Sequence, residues 1–467
     1  MYQATDGDTG MIKLNSIVFG IDVLDKLFGS TLTSPSTIVV AGHPGAGKTI
    51  LASTICYRNA LNDNKCLYIS FQEHKEKLYK NLVKLGIDFE KVEKLGNFLF
   101  TRLPIVLNVN DIVAEIHRIV ESFKPKVLVI DSINTFLLST SDESKRAWLQ
   151  NYFYELAKQI DGVVVLVAEL PFGSETVDLG SIEFVADAVF ILKHRVEDGR
   201  LVRIIEIRKA RGSPITVAEI PFTILEKQGL KVYVPPILED IPSEGGRVEP
   251  PCRHLANALG DIQKGHVIFI SYPSIARPPE IFLQIYGFTL ANKARALVIS
   301  FRISPATMKQ TIIKSLESFG ISDIRVEKFI ESNFVFKSYN PFAYSSTELM
   351  TQIIEVVNVV KPDIVLLHAF DIFALAYKPK HMSTIYNMVN YMKSRKILTI
   401  IMSIRANSDI TMLFSRLADI NIAFKYRFPG DKLSKIVYLW RREREPIVLS
   451  ENDLKTCRDD VISSIGI

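Results

Sequence analysis

The most informative segment of the chain reads Gly42-His43-Pro44-Gly45-Ala46-Gly47-Lys48-Thr49. It follows the apolar, β-branched run at 38–41, which predicts a strand, and precedes residues 50–55, which predict a helix. A strand, a glycine-rich turn and a helix in this order form a phosphate-binding loop when the turn reads G-x-x-x-x-G-K-[ST]. Because the segment fits this pattern in its required context, a coincidental glycine-rich turn is the weaker interpretation.

Each part of this segment suits a nucleoside triphosphate. The glycines let backbone N–H groups surround phosphate oxygens, and the start of the helix adds the positive end of its dipole. Lys48 is predicted to reach the β- and γ-phosphates, and the Thr49 hydroxyl is predicted to bind Mg²⁺. The residues expected to contact ATP are Gly42, His43, Pro44, Gly45, Ala46, Gly47, Lys48, Thr49 and Ile50.

Two acidic residues follow predicted strands at the same edge of the sheet. Asp131 ends the apolar run at 127–130, where a carboxylate holds the Mg²⁺ shell directly or through water; the alternative is a cap of the next helix. Glu73 follows the strand at 67–69, where a carboxylate orients the water that attacks the γ-phosphorus; the alternative is a solvated residue at a helix start. We predict a metal role for Asp131 and a catalytic role for Glu73.

Two cations lie farther along the chain. Lys209 and Arg211 are two residues apart on an extended segment, so both side chains are expected to project to one side and to meet one anion. Cations supplied by a neighbouring subunit stabilise the charge of a phosphoryl-transfer transition state. The alternative is a solvated basic edge, and the residues alone leave both interpretations open.

Outside these segments the chain alternates apolar runs, such as 163–167, with amphipathic stretches, such as 112–120. This alternation predicts an α/β fold with a mostly parallel sheet covered by helices on both faces. The order of segments occurs twice, at an offset that drifts only from about 229 to 237. We therefore expect two tandem domains, residues 1–235 and 251–467, joined by a linker at 236–250.

Composition sets the broad class of the protein. The 467 residues carry a net charge of +5, and a hydrophobic fraction of 48% with 23% charged residues rules out wholesale disorder. No apolar run approaches the length of a membrane span, and the N-terminus does not read as a secretory signal, so a cytoplasmic location is expected. The four cysteines are scattered without a C-x-x-C pair, which argues against a zinc site and against a disulfide scaffold.

Taken together, these segments resemble the KaiC-like branch of the RecA superfamily, and most of residues 11–235 follow the order of that family. The resemblance implies two RecA-like P-loop NTPase domains in tandem, with ATP and Mg²⁺ bound between the subunits of a homo-oligomeric ring, commonly a hexamer. It implies that Lys209 and Arg211 reach the neighbouring subunit's site. Glu73 falls on one of two adjacent catalytic Glu positions, and the other is Gln72, which predicts slow hydrolysis.

The second copy departs from the pattern at four positions. Arg277 replaces the P-loop lysine, Pro278 replaces the hydroxyl residue, His368 aligns with Asp131, and Ile303 aligns with Glu73. The second domain is therefore not expected to hydrolyse ATP; it is expected to serve assembly, regulation or partner binding. We expect His368 to be an ordinary strand-end histidine, because no second metal ligand is spaced near it.

Three functions remain open on the sequence. The favoured one is ATP hydrolysis that drives a regulatory or assembly switch. Another is a nucleotide-switched scaffold with negligible turnover. The remaining one is action on DNA, as in RadA-like relatives, which bind single strands largely through Lys and Arg. It is disfavoured because the basic pair at 145–146 is offset by the acidic pair at 142–143, and the loop at 171–180 has neither Lys nor Arg. No membrane partner is expected.

Overall fold

The computed structural model separates the chain into two compact units, residues 1–234 and 235–467. The structure describes residues 17–465, except for 105–108, 135–142, 172–185, 198–199, 216, 235–239, 241, 244, 275–276, 378–381, 406–407, 428–433 and 442–443. The start of the predicted linker and the segments 135–142 and 172–180 fall outside these described residues.

The strands of the first unit form one sheet in the order β3-β2-β4-β5-β1-β6-β7-β8-β9. The pairings from β3 to β6 are parallel, and those from β6 to β9 are antiparallel. These strands are β1 Ser36–Gly42, β2 Cys66–Ser70, β3 Phe98–Arg102, β4 Val127–Asp131, β5 Val163–Glu169, β6 Ala188–Glu197, β7 Arg200–Ala210, β8 Glu219–Leu225 and β9 Gly229–Val232.

Helices cover both faces of this sheet because its parallel strands are apolar on both sides. The helices are α1 Asp22–Phe28, α2 Lys48–Leu61, α3 Lys75–Val83, α4 Phe89–Lys94, α5 Val109–Phe123 and α6 Glu143–Ile160, with a 3₁₀ turn at Gly29–Leu32. Alternate residues of one strand face opposite sides. Val40 of β1 therefore packs in the core that contains α2, and Val39 packs in the core that contains α5 and α6.

The second unit repeats this arrangement in a sheet of order β14-β13-β15-β16-β12-β17-β18-β19, beside the short ribbon β10-β11. The strands are β10 Arg247–Val248, β11 Ile262–Gln263, β12 Val267–Tyr272, β13 Ala296–Ser300, β14 Phe334–Ser338, β15 Ile364–His368, β16 Leu398–Ile404, β17 Ile420–Arg427, β18 Ser434–Arg441 and β19 Arg444–Leu449. The helices are α7 Arg253–Leu259, α8 Glu280–Ala291, α9 Pro305–Glu317, α10 Ile324–Asn333, α11 Ser346–Val360, α12 Phe370–Ala376, α13 Met382–Ser394, α14 Ser408–Leu417 and α15 Glu451–Ile465, with a 3₁₀ turn at Pro341–Ala343.

The predicted fold class, two tandem α/β domains with mostly parallel sheets, is confirmed. A matching pair of hydrogen bonds marks the repeat at the start of the central strand. In the first unit, Asp187 accepts the Thr37 N–H at 2.9 Å and donates its own N–H to the Thr37 carbonyl at 2.7 Å. In the second unit, Asp419 accepts the Val267 N–H at 2.8 Å and returns its N–H at 2.9 Å. These bonds tie β1 to β6 and β12 to β17.

The cysteine spacing argued against a disulfide scaffold, and it did not predict the one bridge that the described residues contain. Cys252 and Cys457 form a disulfide across a sequence separation of 205 residues, linking the start of α7 to α15. Spacing along the chain cannot reveal such a pair, because only the packing of α15 against α7 brings the two together. Cys56 and Cys66 are buried free thiols.

Within the described residues, no cluster of three or more His, Cys, Asp or Glu side chains is arranged to hold a metal ion. In the same part of the chain, no helix has both the length and the apolar character needed to cross a bilayer.

Candidate functional site

The P-loop lies between the carboxyl end of β1 and the start of α2, as the sequence predicts. Gly42 is required by close approach, since a Cβ there would come 2.2 Å from the Leu192 carbonyl oxygen. Gly47 is required by its backbone, which adopts a φ of 106° immediately before the helix. The first N–H groups of a helix have no acceptor within the helix, so the start of α2 presents donors suited to phosphate oxygens.

Lys48 is the first residue of α2 and is almost fully buried. Its Nζ donates a hydrogen bond to the His43 carbonyl at 3.0 Å, which holds the ammonium group against the loop. Burial lowers the pKa of Lys48, while the negative charges of Glu169 and Asp131 act in the opposite direction. A buried cation of this kind gains most from an anionic ligand, because the ligand replaces the lost hydration.

Thr49 and Asp131 meet in the structure. The Thr49 hydroxyl donates to Asp131 Oδ2 at 2.9 Å, and the Tyr68 hydroxyl donates to the same oxygen at 2.7 Å. Tyr68 lies on β2, which pairs with β4 so that Ser70 is opposite Asp131. A hydroxyl beside a carboxylate is the kind of hard oxygen donor set that Mg²⁺ prefers, so these residues fit that ion.

Opposing influences act on the Asp131 carboxyl. Burial raises its pKa, whereas the hydrogen bonds from Tyr68 and Thr49 and the charge of Lys48 lower it; Glu169 adds a smaller upward push. Burial prevails, so the pKa of Asp131 is raised above its ordinary value. A divalent cation or another positive charge at this oxygen would favour the ionised form.

Glu169 is a component of this site that the sequence analysis missed. It is the last residue of β5, opposite Gly42 of β1, and its charge acts on both Lys48 and Asp131. Asn134 fixes its backbone by accepting the Glu169 N–H at 2.7 Å and donating to the Glu169 carbonyl at 3.0 Å. The sequence did contain an indication of Glu169, because this residue is an acid directly after an apolar run, the same pattern that singled out Asp131.

Glu73 lies three residues beyond β2, at the same sheet edge as the P-loop. Its N–H donates to Ser70 Oγ at 3.0 Å, and its carboxylate lies 3.3 Å from Lys77 Nζ one turn along α3. The Glu73 side chain is 40% exposed and that of Lys77 is 68% exposed. Pairs this exposed contribute only about 0.3–0.5 kcal/mol, so this one leaves the carboxylate able to turn towards another group. Gln72 is exposed.

Lys209 and Arg211 are not brought to this site. Lys209 is on β7, but Arg211 lies beyond the end of that strand, where its Nη1 is 3.1 Å from Asp187 Oδ1. Asp187 is bonded to Thr37 at the amino end of β1, whereas the P-loop leaves the carboxyl end at Gly42. At about 3.3 Å per residue, the two ends of this strand lie roughly 16 Å apart, so Arg211 is at the opposite edge of the sheet from its own P-loop.

The second unit repeats the frame of the site with different side chains. Ser300 pairs with His368 in the register that Ser70 and Asp131 have in the first unit. The Ile303 N–H donates to Ser300 Oγ at 3.1 Å, just as the Glu73 N–H donates to Ser70. The predicted equivalences of His368 with Asp131 and of Ile303 with Glu73 therefore hold in the backbone.

Comparison with known proteins finds similarity to KaiC proteins. Residues 17–236 match the family model of the KaiC ATPase. The circadian clock protein KaiC3 of Synechocystis sp. (strain ATCC 27184 / PCC 6803 / Kazusa) is 27% identical over 342 residues, which cover 70% of this chain and 65% of the relative.

Two circadian clock oscillator proteins named KaiC align over a shorter part. The one from Parathermosynechococcus lividus is 27% identical over 42% of this chain and 36% of its own length. The one from Prochlorococcus marinus subsp. pastoris is 28% identical over 42% of this chain and 38% of its own. The chain thus spans less than two thirds of the length of these relatives. The first unit, with its P-loop and the Thr49–Asp131 pair, belongs to the KaiC-like ATPases of the RecA superfamily.

Proposed function

We propose that the first unit binds ATP with Mg²⁺ and hydrolyses it slowly, and that its nucleotide state drives a regulatory or assembly switch. The observation that carries this proposal is the 2.9 Å hydrogen bond between Thr49 and Asp131 beside the buried Lys48. It joins a hydroxyl from the P-loop helix, a carboxylate from β4 and a cation at the start of α2. These are the groups that phosphoryl-transfer sites of this class use.

In this proposal, Lys48 and the N–H groups at the start of α2 bind the phosphates, while Thr49 and Asp131 hold Mg²⁺. A bound Mg²⁺ would neutralise charge that develops on the phosphate oxygens. Tyr68 orients Asp131 through its 2.7 Å hydrogen bond to Oδ2, the oxygen that also accepts from Thr49. Glu169 adds negative charge near the cations and limits how strongly the site holds anions.

We assign the role of general base to Glu73. It lies at the same sheet edge as the P-loop, is partly shielded from solvent, and forms an exposed ion pair with Lys77. Because Gln72 cannot accept a proton, Glu73 has no second carboxylate beside it in the chain, and this supports slow turnover.

We assign Lys209 and Arg211 to the site of a neighbouring subunit. Arg211 lies beside the amino end of β1, and the P-loop leaves the carboxyl end of this strand about 16 Å away, so its guanidinium cannot contact a phosphate bound there. A head-to-tail ring places the amino edge of one sheet near the carboxyl edge of the next, and rings are the closed form of such contacts. This supports a homo-oligomeric ring, for which we favour six subunits.

Measuring phosphate release from ATP and Mg²⁺ tests the proposal. Glu73→Gln in the full chain should abolish release while nucleotide binding persists, and Lys48→Ala should abolish both release and the Mg²⁺-dependent binding of ATP by the first unit. Glu76→Gln is the matched control, since Glu76 is an exposed carboxylate at the start of the same helix. If the unaltered chain binds ATP but releases no phosphate, the scaffold function replaces the proposed one.

The alternative of action on DNA has a separate test. The relatives are circadian clock proteins, which favours a regulatory role over strand exchange. Affinity for single-stranded DNA that falls steeply with salt would instead favour the DNA function, because such affinity depends on contacts between phosphates and Lys or Arg.

A further inference from the structure

The carboxyl edge of the second unit's sheet carries a side-chain arrangement unlike that of the first. Arg277 follows β12 at the place of the P-loop lysine, and its Nη1 lies 3.1 Å from Nε2 of His368 at the end of β15. The guanidinium also lies over the Phe282 ring, 5.5 Å from its centroid. His368 is 1% exposed, and its Nδ1 lies 3.0 Å from Ser300 Oγ.

These contacts fix the proton on the imidazole. A guanidinium only donates hydrogen bonds, so Nε2 of His368 must accept, and the proton must be on Nδ1. Nδ1 then donates to Ser300 Oγ, whose two lone pairs are shared between this N–H and the backbone N–H groups of Arg302 at 3.2 Å and Ile303 at 3.1 Å. The result is a neutral ring held on both sides, which orients Arg277.

The presence of His368 where the first unit has Asp131 changes the charge at the carboxyl edge of the sheet. Where the first unit has the Asp131 carboxylate, the second has a neutral imidazole, while the cation of the loop is retained as Arg277. Arg302 follows β13 at the same edge, and the positive charges of both arginines act on His368. In the described part of the second unit, no Asp or Glu oxygen lies within 4 Å of either guanidinium. Such an excess of positive charge favours an anionic ligand.

Two other charged residues of this edge, Arg405 and Asp371, have hydrogen-bond partners within the unit. The Arg405 guanidinium donates to the Phe424 carbonyl. Burial raises the pKa of Tyr272, and the negative charge of Asp371, which lies on α12, adds to this rise. Asp371 is buried and accepts the Ile404 N–H at 3.1 Å. Arg277 is half-buried and Arg302 is exposed, so both guanidinium groups can reach a ligand at this edge.

We propose that this edge binds the phosphate group of a small phosphorylated ligand without a metal ion, with Arg277 and Arg302 as receptors and His368 as the positioning residue. Guanidinium groups match phosphate oxygens in pairs of hydrogen bonds. Ligands of open parallel sheets bind beyond the carboxyl ends of the strands, which is where these residues lie. Pro278 and His368 replace the hydroxyl and the carboxylate of the first unit, so the two positions that offer Mg²⁺ a side-chain oxygen there offer none here.

The test uses the full chain carrying Lys48→Ala, in EDTA, so that the first unit contributes little. Binding of pyrophosphate is measured by isothermal titration calorimetry, and we expect it to occur without Mg²⁺. Arg277→Gln should weaken it at least tenfold. Arg325→Gln is the matched control, since Arg325 is an exposed arginine of the same unit bonded to Asp323, and it should leave the affinity unchanged.

Two substitutions at position 368 test the positioning role. His368→Asp places a carboxylate beside Arg277 and should abolish binding, because the carboxylate competes with the phosphate. His368→Gln keeps an acceptor and a donor and should retain the affinity within about threefold. Thermal melting identifies any variant that does not fold, and Arg302→Gln, at an exposed position, then carries the test with an expected loss of at least threefold.

Three results overturn the proposal: no pyrophosphate binding to the Lys48→Ala chain, binding that requires Mg²⁺, or an Arg277→Gln chain as tight as the Arg325→Gln control. Comparison of ATP with tripolyphosphate then distinguishes the source of the phosphate. Tighter binding of ATP supports a nucleotide at this edge, and equal binding supports a ligand recognised through its phosphates alone.

Discussion

Replacing His368 by glutamine should make the second unit markedly less sensitive to acid. Burial, together with the charges of Arg277 and Arg302, lowers the pKa of His368 from 6.5 to about 3. The unfolded chain therefore takes up a proton below pH 6.5 that the folded chain refuses, so stability falls as the pH falls through this window. Above pH 6.5 the ring is neutral in both states and has no effect.

The size of this effect follows from the two pKa values. Each pH unit below 6.5 lowers the free energy of unfolding by about 1.36 kcal/mol, so the decrease is about 2 kcal/mol at pH 5. It reaches about 5 kcal/mol near pH 3, where the folded ring itself begins to protonate. Glutamine at 368 does not titrate, so the variant should lack this component and keep the acid sensitivity of the remaining groups.

Urea unfolding at pH 7.5 and pH 5.0 measures the effect. The chain has two tryptophans, Trp148 in the first unit and Trp440 in the second. A Trp148→Phe background therefore leaves Trp440 as the fluorescent reporter of the second unit. The free energy of unfolding should drop about 2 kcal/mol more between the two pH values with His368 than with glutamine. Equal drops in the two chains would refute the reasoning, whatever the absolute stability of the variant.

Three further predictions concern the first site, the proposed ring and the disulfide. Tyr68→Phe removes a hydrogen bond to the Asp131 carboxylate, and hydrogen bonds to charged groups contribute about 1.5–3 kcal/mol. The pKa of Asp131 should therefore rise further, and the acid limb of the pH profile of phosphate release should move to higher pH. Chains with Lys48→Ala and chains with Arg211→Ala should each release no phosphate. An equal mixture reassembled from subunits should regain about a quarter of the activity, because random assembly places an intact Lys48 beside a neighbour's intact Arg211 at roughly that fraction of interfaces. A mixture as inactive as its components would contradict the role of Arg211 in the neighbouring site. Cys252→Ser should lower the stability of the second unit by about 5 kcal/mol in the loop-closure model, measured by unfolding with and without reductant, and an unchanged midpoint would contradict it.

Local sequence was sufficient for the parts of the site that lie within one strand–turn–helix segment. Residues 42–49 carry their own signal, because the glycines, the lysine and the threonine must follow one another for the loop to form. Asp131 was also within reach, since an acid after an apolar run marks the carboxyl edge of a sheet. The same rule applied to the run at 163–167 would have found Glu169.

Other features depend on which strands become neighbours. The bond from Tyr68 to Asp131 exists because β2 lies beside β4 in one particular register, and no spacing along the chain encodes it. Arg211 pairs with Asp187 at the amino edge of the sheet, a location that the extended segment alone did not indicate. The neutral state of His368 likewise requires Arg277 and Ser300, which come from two other strand ends.

The disulfide between Cys252 and Cys457 has a topological consequence for the second unit. Because it joins the first helix of that unit to its last, residues 252–457 form a closed covalent circle. A protease that nicks any one surface loop inside the circle produces no separate fragments until the bond is reduced. New chain ends opened in such a loop would likewise stay tethered, so this half of the molecule can be cut without being divided.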